Sequence, residues 1–266
     1  MKNDRGQVLI ILLFFIPPLL FLLFSVANTT LAVRDRLKLQ NSADAASLSA
    51  AAWQAKGLNQ IAEANTVIDA GTLLARYVNV NRPGSAKTKS RLMIIAAEKK
   101  QMEFVKQDIL KRLPGFAGEA ASSSGTLTLT GETPAISLQD DAAMKSADFG
   151  ARAFGVQRDL KISLGPDDEF DPEKNRLFAV AWRKRALLGV AGHMFGKMAV
   201  PPGYALSSAA VSSERNGPQD RVLAPDFRPG LVSVSMTQED FDFFKQEYFF
   251  VVGKDAFEDV ARKILH

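Results

Sequence analysis

Gly6-Gln7-Val8-Leu9-Ile10-Ile11-Leu12-Leu13-Phe14-Phe15-Ile16-Pro17-Pro18-Leu19-Leu20-Phe21-Leu22-Leu23-Phe24-Ser25-Val26-Ala27 is the stretch around which this chain is organised. From Val8 to Ala27 no side chain is charged, and a helix of that length spans about 30 Å, enough to cross the hydrocarbon of a bilayer. Pro17 and Pro18 interrupt it, but a membrane helix tolerates proline where neighbouring groups satisfy the freed carbonyls, so a kink is expected rather than a break. Lys2 and Arg5 with Ser25-Val26-Ala27 also meet the outline of a cleaved signal peptide. The uninterrupted apolar run exceeds the usual signal core, so the expectation is a retained anchor over residues 1–27. Asn28 to Lys56 contains neither Gly nor Pro, which predicts that the helix continues into water as a stalk.

The next segment reads Leu39-Gln40-Asn41-Ser42-Ala43-Asp44-Ala45-Ala46-Ser47-Leu48-Ser49-Ala50-Ala51-Ala52-Trp53. With the Gly6-Gln7 pair and the span before it, this pattern resembles the N-terminal module of the TadE/TadG-like proteins of tight-adherence (Flp) pilus assembly. The family motif falls on Gly6, Gln7, Leu39, Gln40, Asn41, Ala43, Asp44, Ala45 and Ala46, and the resemblance ends about one fifth of the way along the chain. It implies a bacterial inner-membrane protein with a cytoplasmic N-terminus and an exported C-terminal domain, whose partners are other pilus-assembly or envelope membrane proteins. The glutamate that prepilin processing expects after the glycine is absent, since Ile11 stands there. Counts of nearby basic residues do not decide the orientation, because Arg34, Arg36 and Lys38 follow the span as Lys2 and Arg5 precede it.

At 100° per residue, Leu39, Ala43, Ala46, Ala50, Trp53, Gly57, Ile61, Ala64 and Ile68 share one side of the stalk helix, while Leu37, Asp44 and Leu48 point away. Small side chains allow close helix approach. Two readings follow: packing on the chain's own domain, or a face for a partner helix. With the resemblance, Leu39, Ala43, Ala46, Ala50 and Trp53 are the expected partner-binding residues.

Gly57 and Gly71 are places where this helix could bend, and Arg82-Pro83-Gly84-Ser85 is a stop. A second helix is expected over 92–113 with Met93, Ala96, Ala97, Phe104, Ile109 and Leu113 on its apolar side, closed by Pro114-Gly115. Gly118 to Gly125, rich in serine, reads as a linker. Beyond it Thr126-Leu127-Thr128-Leu129-Thr130 alternates as a strand does, with Leu127 and Leu129 inward and Ala135 to Leu138 as a partner. Further strands are expected over 160–164, 177–182 and 231–236, a helix or aromatic-rich strand over 238–250, and a last helix over 254–265. The predicted organisation is α+β: anchor 1–27, helical stalk region 28–117, and an extracytoplasmic domain 126–266 on a mixed or antiparallel sheet.

Composition narrows the chemistry. With no cysteine there is neither a disulfide nor a thiolate. The charge is +6 over residues 28–120 (14 basic, 8 acidic) and −3 over 121–266 (17 and 20), too mild an asymmetry for a nucleic-acid binder. The basic half could instead lie against anionic lipid head groups. Asp167, Glu169, Asp171 and Glu173 have the oxygen chemistry of a calcium loop, but Pro172 stands where such a loop requires glycine, so a solvated turn is expected. Gly189 to Lys197, around His193, narrowly misses a phosphate-binding loop: Ala191 replaces the first glycine and Met198 the Ser/Thr. The only other histidine is His266, and no Gly-x-Ser-x-Gly elbow exists. The expectation is therefore no catalytic residue, metal, cofactor or nucleotide, and a structural or assembly role. An anchored binding module of another envelope system and an exported hydrolase are the alternatives.

Overall fold

The computed structural model describes residues 4–81, 83–132, 149–155, 168–183, 203–217 and 220–252, with residues 147, 160, 162 and 164 between them. Its first element is α1, Asp4–Asn81, a single helix of 78 residues that passes through Pro17 and Pro18, and through Gly57 and Gly71, without ending. Arg82-Pro83-Gly84-Ser85 stops it as expected, with Gly84 at a φ of 78°. Ser85 then caps α2, Ala86–Thr130: its hydroxyl accepts the N–H of Thr88 at 3.1 Å and satisfies one donor the helix start leaves free. The strands are β1 Phe149–Gly155, β2 Glu169–Phe170, β3 Leu177–Arg183, β4 Gly203–Ser212, β5 Asp220–Arg221 and β6 Arg228–Val232, followed by α3, Gln238–Val252.

α2 departs from the sequence reading. Pro114 lies inside the helix, and the helix runs 17 residues beyond the expected end at Leu113. The segment read as a linker, Gly118 to Gly125, is helical, and so is the segment read as a strand, Thr126 to Thr130. Thr126 is buried and Leu127 exposed, the reverse of the strand expectation. Gly131, at a φ of 83°, closes the helix with its N–H on the carbonyl of Leu127 at 2.7 Å, a left-handed cap that glycine adopts without penalty. The inward side of α2 carries Thr88, Ile95, Lys106, Leu113, Ala117 and Ala121, while Met93 and Phe104 face out.

A four-stranded antiparallel sheet runs in the order β1-β3-β4-β6, and β2 pairs with β5 in a small second sheet. β3 begins and ends within a residue of its expected bounds, and all seven of its residues are buried. The sheet explains why: its inner face packs on the α1–α2 hairpin, and on the outer face Phe154, Phe178 and Phe244 of α3 stack at 5.6 and 6.5 Å. Thr237 caps α3, accepting the N–H of Asp240 at 3.2 Å and donating to its carboxylate at 2.7 Å, so this segment is helix and not strand. β6 begins three residues earlier than expected, and among the described residues of the 160–164 stretch Leu164 makes a bridge, to Phe170. The expected strand over 135–138, the 189–197 loop with His193, Asp167 and the helix over 254–265 lie outside the described residues. The α+β architecture with a long N-terminal helix followed by an antiparallel sheet is as the sequence predicts.

Candidate functional site

Two chemically different lengths of α1 meet near residue 38. From Leu13 to Val26 every side chain but Ser25 is apolar and nearly all are exposed, with none of the most apolar window buried against the chain. This is the one length of helix among the described residues that is long and apolar enough to cross a bilayer. Gly6 and Gln7 belong to the same helix. From Leu39 to Asp69 α1 packs against α2 on one side and the sheet on the other.

The closeness of that enclosure follows from residue size. A Cβ built on Gly125 of α2 would sit 3.0 Å from the Cβ of Ala46, 3.0 Å from the carbonyl of Ser42 and 2.3 Å from the Cβ of Ala151 on β1. Three elements therefore converge where none has more than a methyl group to offer. The Ser42 hydroxyl donates to the carbonyl of Gly125 at 2.6 Å across the same point. Further along, a Cβ on Gly57 would fall 2.0 Å from Leu113. These pairs fix an antiparallel hairpin of constant register, and the serine- and glycine-rich part of α2 is its contact surface.

Leu39, Ala43, Ala46 and Ala50 are all buried in this seam, within one core that also includes Ala117, Ala121, Ala151 and Ala181. The expectation that they form a partner face is corrected: their own chain covers them, because residues this small bring α2 and β1 too near to admit another helix. Trp53 is half-buried, stacked on Phe116 of α2 at 5.7 Å with the Lys56 ammonium 4.8 Å from its ring. Ala45 and Asp44 are half-buried and Asn41 is exposed. Gln40 donates to the Asp44 carboxylate at 2.9 Å and to the carbonyl of Leu206 on β4 at 3.2 Å. The motif residues thus pin the sheet to the helix.

Polar contacts continue the attachment. Ser47 and Ser207 share a hydrogen bond at 2.9 Å, Asn59 makes a reciprocal pair with the backbone of Phe227 (2.9 and 3.2 Å), and Asn65 donates to the carbonyl of Val222 at 2.6 Å. Ion pairs stand at both ends: Arg183 with Asp35 at 3.2 Å on the side of the apolar run, Arg221 with Asp69 at 2.8 Å at the far side. Lys106 of α2 pairs with Asp168, so one carboxylate of the acidic stretch ties the hairpin to the β2 turn. Asp171 accepts from the N–H of Glu173 at 3.0 Å and pairs with Lys174. No cluster of three or more metal-ligating side chains occurs among the described residues. One carboxyl group is perturbed. Partial burial pushes Asp226 up, but hydrogen bonds from the Ser213 hydroxyl and the N–H groups of Arg215 and Glu214, with the charge of Arg215, outweigh it and hold the group below its ordinary value.

Against known proteins, residues 6–53 match the model of a family described as putative Flp pilus-assembly TadE/G-like. No curated protein matches the chain, and no solved structure does. The matched region covers the apolar length of α1 and its first packed turns, ending at Trp53. The N-terminal region is therefore TadE/G-like, and it holds the one helix among the described residues that is long and apolar enough to cross a membrane.

Proposed function

We propose that this protein is a membrane-anchored structural component of a tight-adherence pilus or a related envelope assembly, acting through protein–protein contacts and without catalysis or a cofactor. The observation that carries the reading is the coincidence of the matched region with one continuous helix, whose first part is an apolar candidate span and whose second part packs into the core with α2 and the sheet. The N-terminus is cytoplasmic and the sheet domain lies on the periplasmic side of the inner membrane. The likeness of residues 6–53 to the TadE/G-like family supports this orientation. With Leu39 to Ala50 enclosed, contacts with partners fall to the parts of the helices left open.

Alkaline carbonate extraction and protease treatment of spheroplasts test the reading together. The expected result is full-length chain in the membrane pellet, with the region after Arg34 degraded by external protease and an N-terminal reporter spared. A soluble product beginning at Asn28, or a protected domain, overturns the anchor or the orientation respectively.

A further inference from the structure

Beyond Asp69, its last contact with the sheet through Arg221, α1 projects about 18 Å further, and the start of α2 returns alongside it. Between Asp69 and Glu98 there is no acidic residue, while Arg76, Arg82, Lys87, Lys89 and Arg91 are basic. The same end of the hairpin leaves large apolar side chains open: Val80 is 78% exposed, Met93 73%, Tyr77 68% and Ile94 60%. A monomeric hairpin gains nothing from this exposure, and an apolar patch with a polar, mostly basic rim marks an interaction surface.

Of these, Tyr77 and Ile94 border two grooves between the helices. One, of about 390 Å³, has Tyr77, Lys87 and Arg91 in its wall. The other, of about 320 Å³, has Leu74, Ile94 and again Arg91, with Glu98 at its far end as the one carboxylate bordering either groove. Val78 and Arg91 border both, so the two form one channel along the hairpin. We infer that this channel binds an amphipathic helix of a partner protein, whose apolar side lies on Leu74, Tyr77 and Ile94 and whose flanking acidic residues meet Lys87 and Arg91. Charge selects this occupant. A second copy of the same tip would bring Arg76, Lys87, Lys89 and Arg91 against the same four groups, and like charges in register repel. The anchoring bilayer is out of reach, because about 80 Å of helix separates Ala27 from Asn81. Two helices with a channel between them offer a third helix the packing of a small bundle, read by apolar anchors three and four residues apart.

Only the exclusion of the anchoring bilayer rests on the anchored reading; the channel is a property of the hairpin, so carbonate extraction and the experiment below can fail independently. The full chain is placed in nanodiscs of neutral phosphatidylcholine. It is offered a dye-labelled synthetic helix of about three heptads with leucine on its apolar side and glutamate flanking it, and the same helix with lysine for glutamate. Phosphatidylcholine vesicles containing about one third phosphatidylglycerol serve as the lipid arm. The acidic helix is expected to bind and the basic one not. Lys87→Glu with Arg91→Glu exchanges that preference, and Tyr77→Ser weakens binding about tenfold. All three positions are exposed, and thermal melts confirm that the variants fold. Equal binding of the two helices, or of neither, overturns the inference. So does binding that ignores the substitutions, capture of the anionic vesicles instead of the helix, or tip-dependent association of the chain with itself.

Discussion

Residues 13–38 and 39–69 of α1 are one unbroken helix, yet their side chains meet opposite surroundings. In the first length Phe14, Phe15, Phe21 and the leucines are exposed; in the second, alanines and serines such as Ser42, Ala43, Ala46 and Ser47 are enclosed. Large apolar groups suit a helix whose solvent is hydrocarbon, because they need no specific neighbour. Small groups suit a helix that must lie within a methyl's reach of both a second helix and a sheet. Hydrophobicity alone therefore misplaces the core of this protein. Its most apolar segment is outside the fold, and the fold closes around Ala43, Ala46, Ala50, Ala117 and Ala121.

Exchanging size between the two lengths breaks the contrast most sharply. Ala46→Trp forces bulk into the point where Gly125 and Ala151 converge and is expected to destabilise the domain by about 3 kcal/mol or more, the upper range for overpacking. Leu22→Trp, in the exposed length, is expected to change domain stability by less than about 0.5 kcal/mol. Denaturant melts of the two variants beside wild type, in the same detergent, measure the difference, and equal shifts would remove the distinction.

The boundary itself is tested by Asp35→Ala. Asp35 lies eight residues past Ala27, and its partner Arg183 is almost wholly buried, with its Nε already lacking an acceptor. Removing the carboxylate leaves a cation uncompensated at the end of β3, a loss of about 3 kcal/mol, the low end for one partner of a buried pair. Hydrogen exchange is expected to show β3 and β4 opening first at the Arg183–Gly203 end, where the two strands pair.

The smallest expected effect is one of pH, and it sharpens the comparison because the apolar run from Leu13 to Val26 has nothing to titrate. The pKa of Asp226 is lower in the folded chain than in the unfolded one, so the unfolded state binds the proton more readily. Its contribution to stability is complete above the unfolded carboxylate range, about pH 4, and is lost as the pH falls through the lower folded value. Asp226→Asn is expected to flatten the loss of stability below about pH 4, and an unchanged acid limb would assign that limb to other carboxylates.

Much of α1 was legible in the sequence because its signals are local: an apolar run, an absence of breakers, then Arg82-Pro83-Gly84-Ser85. β3 was legible for the same reason, as a compact run of strand-forming residues. α2 was not. Pro114-Gly115 and the serine–glycine run from Ser122 to Gly125 have the composition of a break and a linker, but both lie inside α2, and the bare Cα of Gly125 is what lets the helix approach Ala46 and Ala151, so tertiary contact overrides propensity there. Strict alternation at Thr126 to Thr130 misled in the same way, since five residues are too few to separate the two periods. The stripe of small residues was legible as a contact surface. Whether α2 of the same chain or a helix of another protein fills it depends on residues some eighty positions later, which no local pattern encodes.

The absence of any break in α1 between the apolar run and the sheet couples azimuth to sequence length. Each residue advances a helix by 100° and 1.5 Å, so the side of the span that faces a neighbour in the bilayer dictates the compass direction in which the sheet and the basic tip point. One residue inserted between Asn28 and Lys38 would swing the whole domain through about a quarter turn, whereas four would return it to within about 40° of its starting bearing. The chain thus carries a phase as well as a fold: insertions of three or four residues there preserve the heading of the domain, and insertions of two reverse it.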